Sequence, residues 1–239
     1  MKTAMSSVPR PAADPMEAVT RFVAGFSHSL KSPMTGVRGY GELIGHEEDR
    51  ARRAYWTQRM QGGIETLDLL IEGARRYQLP ERVSPSSLPT PGLLDESWRI
   101  AVQITPGGRA KELRFRHEFD AQDTLQADAF YFRNLLVNLF QNAIDASPRG
   151  AELRVGRGAA GEILRIDDAG PGLGELRPSQ IVEPFFTTRP DRAGLGLAVA
   201  CEIARQHHMR IEWQQTEMGG LSVRIVQEQA CKAEGVSSE

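Results

Sequence analysis

Cysteine is scarce: two residues in 239, Cys201 and Cys231, whose separation fits neither a metal-ligand set nor a redox pair. That excludes a disulfide framework and predicts reduced thiols. Long apolar runs are missing too, and no stretch approaches the ~18 to 20 residues that a membrane helix requires. Met1 to Pro15 contains Pro, Ala and Ser without an apolar core, so it does not read as a signal peptide. Neither sign of charge dominates: 29 Lys and Arg face 31 Asp and Glu, which argues against a basic surface for nucleic acid or anionic lipid. No internal repeat and no low-complexity tract stands out. These absences predict a cytoplasmic globular chain with no membrane or nucleic-acid partner, long enough for one large domain or two small ones.

What is present begins with helical periodicity. Phe22, Phe26, Leu30, Met34, Val37 and Leu43 or Ile44 recur at spacings of three, four or seven, an amphipathic pattern over Met16 to Ile44. Asp14 is placed to cap this helix, with Pro15 at its first position. Pro33 predicts a kink, because it lacks an N–H and crowds the preceding turn. After a short turn at His46 to Asp49, a second helix is expected over Ala51 to Tyr77, with Trp56, Met60, Ile64, Leu67, Leu70 and Ile71 on one side. The two form an antiparallel hairpin over residues 16–78. One hairpin cannot cover its own apolar stripe on both sides, so pairing with a second copy in a dimeric four-helix bundle is predicted.

Residues 79–92, rich in Pro and Ser, read as a linker. Residues 93–228 then alternate helix-like and strand-like segments. Helices are expected over Leu94 to Ile104, Ala127 to Ala146 and Ala198 to Arg205, with Asp128 near the start of the second. Strands are expected over Leu113 to Phe119, Glu152 to Val155, Ile163 to Ile166, Ile211 to Gln214 and Leu221 to Val226. The fold class is therefore α+β, a helical hairpin followed by a two-layer α/β sandwich. Residues 1–15 and 229–239 read as disordered ends.

Four short motifs fall within the second part. Asn138-Leu139-Phe140-Gln141-Asn142-Ala143-Ile144-Asp145-Ala146 puts two amides, Asn138 and Asn142, one helical turn apart on one face. Asp168-Ala169-Gly170-Pro171-Gly172 sets a carboxylate at a strand end before two glycines, where backbone approaches a flat polar ligand closely. Glu183-Pro184-Phe185-Phe186-Thr187-Thr188-Arg189 follows, and Gly194-Leu195-Gly196-Leu197 opens a helix whose free N–H groups suit phosphate. In this order the motifs resemble the N, G1, F and G2 boxes of the ATP-binding domain of two-component histidine kinases. That superfamily is shared with the large heat-shock chaperone ATPases, type II topoisomerases and MutL. Phe26-Ser27-His28-Ser29-Leu30-Lys31-Ser32-Pro33 resembles the family's H box, and the lid length with Phe185 to Thr188 looks most like the nitrogen-regulator-type kinases.

The resemblance implies roles. Asp168 accepts a hydrogen bond from an adenine amino group while Gly170 and Gly172 fold under the base. Asn142 holds Mg²⁺ on the phosphates of ATP, a hard cation suited to a carboxamide oxygen, with Asn138 beside it. Phe186, Thr187, Thr188, Arg192, Gly194, Leu195 and Gly196 belong to the nucleotide's lid and phosphate side, and Phe185 and Phe186 anchor that lid by burying their rings. His28 takes the γ-phosphoryl group and passes it to an aspartate on a response regulator's receiver domain. Ser32, where relatives carry Thr or Asn, serves the dephosphorylation of that partner. Two departures matter. Arg192 stands where the family has a glycine, so its guanidinium either reaches phosphate or restricts the lid. Ser29 stands where a carboxylate follows the histidine as general base, which favours a phosphotransfer or phosphatase scaffold as the alternative to a kinase. A conformational ATPase is disfavoured, because those proteins carry a water-activating Glu where this chain has Asn138. The adjacent His207 and His208 diverge too far on a helix to share a metal and are expected to pack or to face solvent.

Overall fold

The computed structural model describes residues 15–76, 83–158, 161–189, 192–216 and 219–228. The first helix, α1 (Pro15–His46), is continuous and carries Pro33 within it. Its expected cap, Asp14, and the terminal segments expected to be disordered lie outside the described residues. Glu47 to Asp49 turn the chain; the Asp49 carboxylate accepts from the Arg52 N–H at 2.8 Å and starts α2 (Arg50–Arg76). The two helices pack antiparallel, with Tyr40 of α1 stacked on Trp56 of α2 at 5.8 Å between ring centroids. Val23 and Met34 of α1 and Ile64 and Ile71 of α2 stay exposed on the single chain, an apolar surface the hairpin alone does not cover.

The expected linker needs correction. Residues 86–92 are ordered structure: β1 (Ser86–Pro89) pairs antiparallel with β3 (Thr124–Ala127), and α3 (Thr90–Ile104) starts directly after it. Ser-Ser-Leu-Pro lacks the β-branched and aromatic residues that announce a strand, and Pro91 sits in the first helical turn, where its missing N–H costs nothing. Both features look like linker in sequence.

A five-stranded sheet follows, in the order β2-β4-β5-β7-β6, from β2 (Arg114–His117), β4 (Glu152–Gly156), β5 (Glu162–Asp167), β6 (Met209–Gln215) and β7 (Leu221–Gln227). Among the described residues of this sheet, β2 and β4 pair in parallel and the other pairs are antiparallel. Helices α3, α4 (Ala129–Ala146) and α6 (Gly196–Gln206) lie on one face, and α5 (Pro178–Ile181) is a single turn. Phe132, Leu135, Leu136, Phe140 and Ile144 of α4 and Ile203 of α6 are buried with Leu153, Leu164, Ile166 and Ile225 of the sheet. The other face is charged, with ion pairs such as Arg165–Asp167 and Arg224–Glu162, each at 3.0 Å. The molecule is thus mixed α and β: a helical hairpin and a two-layer sandwich.

Helix α4, which carries both motif asparagines, is pinned at both ends. Asp128 caps its start, accepting from the N–H groups of Phe130 and Tyr131 and, across the fold, of Ser84. Burial pushes this carboxyl up, but the three N–H donors outweigh it and hold it below the usual range. At the other end Lys111 Nζ donates to the carbonyls of Ile144, Asp145 and Ser147 at 2.6, 2.8 and 2.8 Å. The first two are carbonyls a helix end leaves unpaired. His207 is buried between α6 and α4: Nδ1 lies 2.8 Å from the Ile203 carbonyl, and Nε2 accepts the Asp128 N–H at 2.9 Å. It is a packing residue, as expected.

Candidate functional site

Segments distant in sequence line one cavity of about 1010 Å³: Ile100 and Ile104 of α3, the inner face of α4, the loop after β5, residues 186–189 and 192–195, and the start of α6. Of the residues singled out in sequence, Asn138, Asn142, Gly172, Phe186, Thr187, Thr188, Arg192, Gly194, Leu195 and Gly196 all line it. The volume is ample for a nucleotide-sized ligand.

On α4, Asn134, Asn138 and Asn142 succeed one another at four-residue intervals, and all three border the cavity. The Asn138 amide nitrogen donates to the Asn134 backbone carbonyl at 2.9 Å and to its side-chain oxygen at 3.0 Å. That fixes the amide's orientation and leaves Oδ1 toward the start of α6, where a Cβ on Gly196 would lie 2.9 Å from it. Asn142 is exposed to the cavity with its carboxamide oxygen available to a hard cation.

Asp168 and Gly170 adjoin the cavity wall rather than line it. The Asp168 Oδ1 accepts from the N–H groups of Gly170 at 2.8 Å and Leu221 at 3.1 Å. Burial pushes this carboxyl above the ordinary range despite those two donors. Gly170 touches Ala146 of the wall: a Cβ there would stand 2.7 Å from the Ala146 Cβ.

The expected lid anchor divides in two. Phe186 faces the cavity, whereas Phe185 turns into the hairpin, its ring centroid 5.2 Å from Phe22 and 5.4 Å from Phe26. Leu70 of α2 and Leu195 complete this cluster. Phe185 has φ +68°, a conformation bulky residues rarely adopt and one costing about 1–3 kcal/mol, offset by burial of the ring. Gly194 also has positive φ, and a Cβ on it would fall 2.6 Å from the Phe185 carbonyl carbon and from the Phe186 oxygen. Only glycine lets these backbones meet.

Two further residues of the quoted motifs, Asp145 and Arg189, were given no role in sequence. Asp145 forms ion pairs with Arg192 Nη2 at 2.8 Å and Arg189 Nη1 at 3.0 Å. Its position three residues after Asn142, on the same helical face, was the available signal. Arg192, expected either to reach phosphate or to restrict the lid, is paired here with Asp145.

His28 and Ser32 stay outside the cavity. Both are exposed, one turn apart on α1. At about 100° per residue, His28 sits on the opposite side of α1 from the Phe26 ring that meets Phe185. Ser29 beside it brings no carboxylate.

Residues 127–230 match the family described as histidine kinase-, DNA gyrase B-, and HSP90-like ATPase, a span that contains the cavity segments from α4 to α6. Over most of its length the chain is similar to two-component sensor histidine kinases. Curated members of that group align with it. The sensor histidine kinase ZraS of Escherichia coli K12 is 26% identical over 196 residues, covering 80% of this chain and 41% of its own. The sensor protein kinase PilS of Pseudomonas aeruginosa is 27% identical over 214 residues, covering 86% of this chain and 40% of its own. The chain thus spans about two fifths of these sensor kinases. Among solved structures, histidine kinase ThkA in complex with response regulator protein TrrA shares the fold at TM-score 0.61 and 20% identity, covering 90% of this chain and 63% of that one. Full-length ShkA in complex with AMPPNP does so at 0.54 and 21%, covering 90% of this chain and 46% of that one. Among the described residues, no helix is long and apolar enough to cross a membrane, and no group of three or more His, Cys, Asp or Glu suits a metal ion.

Proposed function

We propose that this chain is the phosphotransfer and ATP-binding part of a histidine kinase. In this reading it binds Mg-ATP, phosphorylates His28 and passes the phosphoryl group to an aspartate of a response regulator. The observation that carries it is the convergence of Asn138, Asn142, Gly172, Thr187, Gly194 and Gly196 on one cavity. The residues fit the ligand. Bare backbone at Gly170, Gly194 and Gly196 leaves no side chain where a Cβ would crowd its neighbours, and the unhindered start of α6 offers N–H groups to phosphate. Asp168 has one oxygen committed to backbone donors, and its second suits an adenine amino group. Asn142, with Asn138 beside it, would hold Mg²⁺, which supplies charge neutralisation along the phosphates.

In the transfer, a His28 ring nitrogen attacks the γ-phosphorus, a P–N bond forms and the P–O bond to ADP breaks. The exposed apolar residues of the hairpin, Val23, Met34, Ile64 and Ile71, support a homodimer through residues 16–78. Because His28 lies opposite the Phe26–Phe185 contact, it meets ATP either after the hairpin parts from Phe185 or from the second subunit. Ser29 supports a second reading, a phosphotransfer or phosphatase scaffold with weak autokinase activity, in which Ser32 serves the receiver's dephosphorylation.

The test is incubation with γ-labelled ATP and Mg²⁺, comparing wild type with His28→Ala and Asn142→Ala. Acid-labile label that disappears in both variants is expected. Label surviving in His28→Ala removes the acceptor assignment. Wild type that binds ATP without labelling selects the scaffold, and absence of ATP binding removes both readings.

A further inference from the structure

The arginine at position 192 is this chain's own departure from the glycine expected there, and the fold gives it a specific counter-ion. Arg192 Nη2 lies 2.8 Å from one Asp145 oxygen and 3.0 Å from the other; Arg189 Nη1 lies 3.0 Å from the latter. Asp145 retains only 12% of its side-chain exposure and Arg192 only 23%, so water screens the pair weakly. Asp145 also sits in the last turn of α4, where the helix dipole disfavours a carboxylate. The two guanidinium groups supply its counter-charge. A separate observation is that Arg192 Nε is buried with no hydrogen-bond partner among the described residues. A buried donor left without an acceptor is costly. All three side chains line the cavity, next to Asn142 and Gly194, which border its proposed phosphate end.

We propose that Asp145 is a displaceable counter-ion of Arg192. It holds the guanidinium on α4 until the polyphosphate of a nucleotide takes it over, and so sets the affinity of the site for the phosphate chain. This rests on the nucleotide reading above. A phosphate offers the planar guanidinium the same paired oxygens as a carboxylate and, in a triphosphate, more charge. It also supplies an acceptor in reach of the orphaned Nε. Asp145 therefore competes with ligand, and removing its charge must strengthen polyphosphate binding.

The experiment measures calorimetric affinities of the full chain for ATP, ADP and adenosine with Mg²⁺. The proteins are wild type, Asp145→Asn, Asp145→Glu, Arg192→Gln and the double variant Asp145→Asn/Arg192→Gln. Asp145→Asn is expected to bind ATP and ADP about tenfold more tightly, the worth of one freed charge-assisted hydrogen bond. Adenosine affinity stays unchanged, Asp145→Glu stays near wild type, and most of the gain vanishes in the double variant. Unchanged or weaker ATP binding in Asp145→Asn overturns the proposal. So does an equal gain for adenosine, which means altered packing, or a full gain in the double variant relative to Arg192→Gln, which means general charge repulsion. That last comparison stands even where Asp145→Asn alone fails to fold. If neither wild type nor Asp145→Asn binds any of the three ligands, the nucleotide reading falls and takes this one with it. If wild type binds ATP and Asp145→Asn matches it, the counter-ion role alone falls.

Discussion

Replacing Asp168 by Asn separates the stability of the fold from its ligand recognition. The Asp168 Oδ1 accepts from Gly170 and Leu221 at 2.8 and 3.1 Å, and an amide oxygen in the same place keeps both bonds. The substitution also removes a charge that burial disfavours, since the carboxyl is pushed above its ordinary range. For an acid whose folded pKa is raised, the stabilising contribution is complete below the unfolded value, about 3.9, and is lost as pH rises through the folded one. Near pH 7 the wild-type carboxylate therefore destabilises the fold relative to Asn. Asp168→Asn is expected to melt at or above the wild-type temperature at pH 7, with the difference shrinking toward pH 4. Binding moves the other way. If, as proposed, the second oxygen accepts from an adenine amino group, the NH₂ that replaces it removes one charge-assisted bond worth about 1.5–3 kcal/mol, roughly 10- to 150-fold in affinity. Differential scanning fluorimetry across pH and titration with a fluorescent adenine nucleotide read the two effects. A variant that melts well below wild type at pH 7, or that binds the nucleotide as tightly, refutes the reasoning.

Three further outcomes are expected. Gly194→Ala forces a Cβ to within 2.6 Å of the Phe185 and Phe186 backbone at a φ of +68°, so it should cost more than the ~1–2 kcal/mol of left-handed strain and abolish nucleotide binding; urea unfolding and titration check this. Lys111→Met leaves the carbonyls of Ile144, Asp145 and Ser147 without their shared ammonium donor. A loss of about 2–3 kcal/mol is expected, allowing for water that reaches the half-buried site, and a melting temperature within a degree of wild type counts against the cap. Cys201 should resist alkylation at pH 8 in a Cys231→Ser background until the chain unfolds, because burial first and Glu202 second push its thiol up to about 12 and leave almost no thiolate; rapid native-state labelling contradicts that.

The features legible in sequence were those written in local chemistry. Helical periodicity placed α1, α2 and α4 to within two residues, because apolar spacing acts over a few residues; Asp128 was expected only near the start of α4, and the structure makes it the cap. The strand β1 escaped because Ser86 to Pro89 is held through backbone pairing with Thr124 to Ala127, itself too short and polar to stand out. No residue type within either segment records that partner. Lys111 escaped for the same reason: its job is set by three carbonyls more than thirty positions away.

The site shows the same division within a single segment. Phe185-Phe186 was legible as a lid anchor, since two adjacent aromatic rings near a glycine-rich turn must be buried somewhere. Their destinations were not, because adjacent side chains diverge and the acceptor surfaces come from elements far apart in the chain. One ring enters the hairpin beside Phe22 and Phe26, and the other borders the cavity. The positive φ of Phe185 is what allows the split, and Gly194, lacking a Cβ, is what admits the resulting backbone. A few residues later Arg192 ties the same segment to Asp145 on α4. Phe185, Phe186, Arg192 and Gly194 thus touch the hairpin, the cavity and the asparagine-bearing helix between them. Disturbing Gly194 must for that reason reach all three surfaces, whereas disturbing Asp168, held by its own loop and β7, leaves the hairpin contact intact.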